Sequence, residues 1–316
     1  MNLSRRRFGA HVTGAAVGAT LAACGAEGSD ATSSKRAMVL VHGSWFGAWC
    51  FSSLIPLLTA RNITVVAPDL PGHAVGARFP VSFNQQPFDP NAFALEPSPL
   101  AGISLAQYVS TIQQTIDELA GAGFGPITLL GHSMAGVPIT AAAEQAPGKI
   151  AKLIYLSAFM PVTAKPVLAY LMLPQNANSQ VNDAILCGNP ATIGALRFQT
   201  NSVAADYQAN LKNAFSADSA ALDWAAIAHM MQPDDPAQAY GTPTGATAAN
   251  WGSVKRAYIG CTADNVIPPD LQQLFISEAD ALTPANKTDY HAFASSHLPF
   301  VSQPDALATL IASLLA

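Results

Sequence analysis

A chain of 316 residues, 50% hydrophobic and only 11% charged, has the apolar content of one large packed domain and too few charges for a disordered one. Its formal net charge of −5, with no basic patch, argues against a nucleic-acid partner. Its four cysteines have no metal-ligand spacing, and no metal or cofactor is expected.

The first element is not part of that domain. Ser4-Arg5-Arg6-Arg7-Phe8 precedes a small, mildly apolar stretch from Gly9 to Ala23, the layout of an export signal. The paired arginines resemble the twin-arginine type. The stretch is too short and too rich in Ala and Gly for a membrane span. It ends in Leu21-Ala22-Ala23-Cys24, which resembles a bacterial lipobox, where the cysteine becomes the lipidated first residue. An ordinary signal with a chance cysteine is the alternative. The expectation is a signal over residues 1–23, lipid on Cys24, a flexible tether over 24–36, and a place in the bacterial cell envelope or periplasm. The membrane would be met only through that lipid. Three of the 15 basic residues and none of the 20 acidic ones lie in the signal, so the mature chain is more acidic than the whole. Cys50, Cys187 and Cys261 would remain; all three are expected to be buried free thiols, with one disulfide between an unspecified pair as the alternative.

Apolar runs of strand length then recur at residues 37–41, 63–67, 127–130, 153–156 and 257–259, with a weaker one at 290–294. Continuous runs suit strands covered on both faces. Helical patterns lie between them at 105–119, with Ser104 as N-cap, and at 134–146 and 271–281, and Pro304 opens a last helix. Strands alternating with helices predict an α/β fold with a mostly parallel, doubly wound sheet over residues 37–316. Two segments break the rhythm. Residues 71–102 form a long connection rich in Pro, Phe and Asn, and an insertion at about 161–252 carries helical patches, the expected cap over the strand ends.

Candidate chemistry sits where the runs stop. Gly131-His132-Ser133-Met134-Ala135 lies between a strand and a helix, the context of a nucleophile elbow, with Ala where the motif usually has a last Gly. A serine hydroxyl needs a base. His297, in the loop after the last strand, is the expected base; His291, inside that strand, ranks below it. Asp264, after the 257–259 strand, is the expected acid, and it also suits a turn aspartate. Asp69 and Asp89 rank lower. The expected oxyanion donors are the amides of Met134, beside the serine, and Ser44, in the loop after the first strand.

The order Ser133, Asp264, His297 resembles that of the α/β-hydrolases. Within that fold, Val39-Leu40-Val41-His42-Gly43-Ser44, Gly47-Ala48-Trp49-Cys50-Phe51 and Leu156-Ser157-Ala158-Phe159-Met160-Pro161 resemble the plant methylesterase and hydroxynitrile lyase branch. The resemblance covers residues 37–316 apart from 71–102. Lyases of that branch carry a threonine after the first-loop histidine and a lysine after the catalytic one; Gly43 and Leu298 stand there, which favours ester hydrolysis. The resemblance implies a serine esterase that needs no cofactor, and the low charge and many apolar residues of the insertion suggest a small-molecule ester of apolar or aromatic character. The same triad would serve a lactone, thioester, amide or carbon–carbon bond, and a ligand-binding protein on this fold is the reading from another class.

Overall fold

The computed structural model describes residues 36–182 and 185–315; the expected signal and Cys24 lie outside them. Eight strands are present among these residues: β1 (Ala37–Val41), β2 (Thr64–Val66), β3 (Ile127–His132), β4 (Ile150–Leu156), β5 (Ala195–Arg197), β6 (Asp234–Pro236), β7 (Lys255–Cys261) and β8 (Asp289–Phe293). Six form one sheet in the order β2-β1-β3-β4-β7-β8, and every neighbouring pair is parallel. All residues of β1 and β3 are buried, as continuous apolar runs require, whereas the edge strand β8 is mostly exposed. β4 and β7 run longer than their apolar cores because Lys152, Lys255 and Arg256 join the ladder. The buried Arg256 guanidinium lies over the Trp251 ring, 4.5 Å from its centroid.

Helices cover the sheet. Leu105–Gly121 packs on Gly136–Gln145, and Leu54–Thr59 packs on Pro304–Leu314. Ser104 caps the first of these: its hydroxyl accepts the Gln107 amide at 3.3 Å while the Gln107 side chain accepts the Ser104 amide at 2.8 Å. Such a reciprocal cap stabilises a helix by about 1 kcal/mol. The helix expected from residue 134 begins at Gly136, because Ser133–Ala135 form a 3-10 turn first.

The strand order reverses between β1 and β3, where Val41 lies opposite Gly131. Ligands in open α/β sheets bind beyond the carboxyl ends of the strands at such a switch. Over that edge lies the segment between β4 and β7. It carries the helices Ala205–Ser216 and Ala221–Met230, in register with the apolar patches of the sequence, and a two-stranded antiparallel ribbon, β5 with β6, that no β-rich pattern announces. The ribbon is held by charge. Arg197 donates to both carboxylate oxygens of Asp234, at 2.6 and 2.7 Å, with both side chains fully buried. The same guanidinium donates to the carbonyls of Phe93 and Glu96. Residues 71–102 are therefore not a structureless loop. They contain the helix Pro90–Leu95, capped by Asp89, and lie against the cap, with the Ser98 amide on the Ile193 carbonyl at 2.8 Å. Cys50, Cys187 and Cys261 are free; Cys187 is half-buried rather than buried.

Candidate active site

Ser133 sits on the corner between β3 and the following helix with φ +57°, a left-handed backbone that non-glycine residues rarely adopt. The turn is tight. A Cβ on Gly131 would lie 2.9 Å from the Ala135 carbonyl oxygen, so only glycine fits two residues before the serine. Met134 is fully buried within the same turn.

The loop after β1 closes against this corner. A Cβ on Gly43 would lie 2.8 Å from the Ser133 Cβ, which is how close the backbone before Ser44 comes to the serine. Ser44 is itself buried, and its hydroxyl is hydrogen-bonded to the phenol of Tyr240 from the cap. Trp45, at φ +62°, donates its indole N–H to the Leu196 carbonyl at 3.0 Å and so joins the loop to β5.

Asp264 and His297 meet across the ends of β7 and β8. His297 Nδ1 donates to Asp264 Oδ2 at 2.7 Å, with both side chains fully buried. Asp264 Oδ1 accepts the amides of Val266 and Ile267 at 2.7 and 2.9 Å, so the turn-forming use of this aspartate coexists with the ion pair. A further donor to Oδ2, absent from the sequence reading, is the hydroxyl of Ser157, which follows β4. His297 Nε2 is buried and has no hydrogen-bond partner among the described residues. His132, next to the serine, turns away from it, and its Nε2 donates to the His297 carbonyl at 2.9 Å. Burial, followed by the charge His297 would carry, pushes the His132 imidazole well below the usual histidine range, so it stays neutral.

The other histidines and aspartates near the strand ends have structural partners. His42 is buried, donates Nδ1–H to the Gly43 carbonyl at 2.9 Å and accepts the Leu70 amide at Nε2, 3.0 Å away. Burial and the neighbouring His73 push it down to about 3. His73 pairs with Asp235 at 2.8 Å in a second fully buried histidine–aspartate contact, one that joins the 71–102 segment to β6. Asp69 accepts the Ala48 amide at 2.7 Å, and His291 lies 3.0 Å from Asp289 on the edge strand.

Ser133 and Ser44 open on a cavity of about 240 Å³. Trp45, Phe159 and Tyr240 form one part of its lining, and Leu171, Met172, Val181 and Leu186 of the cap form another. No group of three or more His, Cys, Asp or Glu side chains among the described residues is placed to hold a metal ion.

The profile of the alpha/beta hydrolase family matches residues 38–310. Putative methylesterase 15, chloroplastic, of Arabidopsis thaliana is 28% identical over 280 residues, covering 88% of this chain and 56% of that protein. Putative methylesterase 11, chloroplastic, of the same plant is 29% identical over 277 residues, covering 86% and 62%. The chain thus spans less than two thirds of the length of these relatives. A solved pyrethroid hydrolase superposes with a TM-score of 0.67 at 22% identity, covering 88% of this chain and 96% of that one, a likeness of fold.

Proposed function

The chain belongs to the alpha/beta hydrolase family, and from that premise we propose that it is a carboxylic ester hydrolase working through Ser133, His297 and Asp264. The observation that carries the reading is the fully buried Asp264–His297 pair at 2.7 Å, on the same sheet edge as the strained Ser133. Ser133 Oγ attacks the ester carbonyl carbon while His297 Nε2 takes its proton. Asp264 holds the ring through Nδ1 and stabilises the imidazolium. The amides of Ser44 and Met134 donate to the oxyanion. Collapse of the tetrahedral adduct expels the alcohol, which receives the proton from His297. The same histidine then deprotonates a water that attacks the acyl-enzyme, releasing the acid and restoring Ser133.

The substrate is a small to medium ester with an apolar or aromatic body. The apolar cavity wall supports this, as do the names of the relatives, methylesterases and pyrethroid hydrolase. The test is hydrolysis of nitrophenyl esters of increasing acyl length by the signal-less protein, with Ser133→Ala alongside. Activity in the wild type that vanishes in Ser133→Ala supports the reading, and activity that persists in the variant overturns it.

We further propose export and attachment by lipid on Cys24, supported by the Arg5-Arg6-Arg7 and Leu21-Ala22-Ala23-Cys24 sequences. Labelled palmitate should enter the wild-type chain in a bacterial host and not Cys24→Ser; equal labelling of both refutes the anchor.

A further inference from the structure

We propose that Ser157 is a positioning residue that sets how tightly His297 holds its proton, acting through Asp264. The inference rests on the reading of Ser133, Asp264 and His297 as a triad. Ser157 is fully buried at the end of β4, and its amide continues the β4–β7 ladder to the Ile259 carbonyl at 2.8 Å. Its φ is +41°, so Ser157, like Ser133 and Trp45, is a left-handed non-glycine residue on that sheet edge. A left-handed backbone at a residue with a Cβ persists only where the surroundings hold it. Here that backbone carries a hydroxyl that donates to Asp264 Oδ2.

That oxygen is the one that receives His297 Nδ1–H. Two donors on one oxygen share its lone-pair density, and each weakens the bond to the other. The Ser157 hydroxyl therefore makes Asp264 a poorer partner for the imidazolium than a carboxylate with a free Oδ2 would be. The other ionisable groups around the pair keep one charge state over the working pH range. Burial, then the Asp264 charge, pushes the Cys261 thiol and the Tyr258 phenol up, so both stay neutral. Tyr258 donates to the Ala158 carbonyl at 2.7 Å. His132 is kept neutral by burial. Asp218, bonded to Ser295, Ser296 and Ser302, is held below the usual carboxylate range and stays anionic. The acid limb of the rate profile then reports on the Asp264–His297 pair.

Removing the hydroxyl strengthens Oδ2 as an acceptor for the imidazolium. His297 then keeps its proton to higher pH, and the acid limb of kcat/KM moves upward. A shift of about half to one pH unit is expected, which is roughly a three- to tenfold loss at a fixed pH on that limb, with the plateau changed by less than about threefold. Two variants separate the hydroxyl from the backbone. Ser157→Ala removes the donor and keeps the strain; Ser157→Gly removes the donor and relaxes the strain. The experiment is the pH profile of kcat/KM on a nitrophenyl ester for wild type and both variants, with Ser133→Ala as the blank and melting temperatures measured in parallel. The expected result is the same upward shift in both variants, whatever their melting temperatures. An unmoved limb in both, or a shift in Ser157→Ala alone, overturns the proposal. If Ser133→Ala is inactive and the limb is unmoved, the role of Ser157 alone falls; if Ser133→Ala is active, the triad itself falls.

Discussion

Asp218 binds Ser296 through both carboxylate oxygens, Oδ1 taking the hydroxyl and Oδ2 the amide at 3.1 Å. Oδ2 also accepts the hydroxyls of Ser295 and Ser302 at 3.0 Å each. Partial burial acts to raise the Asp218 carboxyl, but these bonds outweigh it and hold it below the usual range. One aspartate from the cap thus fixes the two residues before His297, and Phe215 of the preceding cap helix meets the His297 ring edge-on, centroids 5.9 Å apart. Asp218→Ala should free the histidine loop and lower kcat about tenfold, since small misplacements of a reacting group are costly. KM should change little, and Asp218→Asn, which keeps one acceptor oxygen, should fall between. Steady-state kinetics on one nitrophenyl ester checks this.

The Arg197–Asp234 pair predicts a stability effect rather than a catalytic one. Both side chains are fully buried, and the guanidinium also serves the carbonyls of Phe93 and Glu96. Arg197→Met leaves a buried carboxylate without its partner and should cost about 3–5 kcal/mol in urea unfolding. Arg197→Met combined with Asp234→Leu should recover part of that loss, because no charge is then stranded.

Acid should weaken the fold before it protonates the carboxylates. His42 is pushed from 6.5 down to about 3, by burial and then by His73, and His132 is pushed down for the same first reason. Both bind protons more readily unfolded than folded. Their contribution is complete above about pH 6.5, the unfolded value, and is lost as pH falls from there through the folded value. Each should take about 1.4 kcal/mol per pH unit in that window. Urea unfolding at pH 7, 6 and 5 measures the slope, and His42→Gln should flatten it.

Gly43→Ala tests the closeness of the first loop to the elbow. The added Cβ would lie 2.8 Å from the Ser133 Cβ and 3.0 Å from His132 Nδ1, so either the loop or the elbow must shift. A shift of that kind should reduce kcat/KM at least about tenfold. The rate of fluorophosphonate labelling at Ser133 should fall with it.

What could be read from the sequence is what local pattern controls. Strands β1 and β3 and the inner parts of β4 and β7 are buried and show as apolar runs; Ser133 follows β3 directly, and Asp264 lies three residues beyond β7. Neither His297 nor Asp264 requires a distant partner to be noticed, because each stands at a strand end. The rest is set by long-range pairing. The ribbon β6 is Asp-Asp-Pro, three residues without β preference, and it exists because Arg197 and His73 claim its carboxylates. Tyr240 meets Ser44 across 196 residues of chain, and Ser157 meets Asp264 across 107. No spacing in the sequence encodes such contacts. The left-handed backbone at Ser157 was equally hidden, since no glycine marks it.

The successive aspartates of β6 point to opposite sides of the ribbon, as neighbours on a strand do, and each meets its own cation or imidazole. Together with Asp218 they hold the cap, yet none of these anchors lines the cavity. Part of the cavity wall shares in the fastening, since Trp45 and Tyr240 line it and bond Leu196 and Ser44, but the Leu171, Met172, Val181 and Leu186 side chains lie outside the charged anchors. The charged attachment and the aliphatic part of the wall are therefore different sets of side chains. The wall can be recarved for a longer or bulkier ester while the roof stays bolted, a separation that leaves room for new substrates to be acquired one side chain at a time.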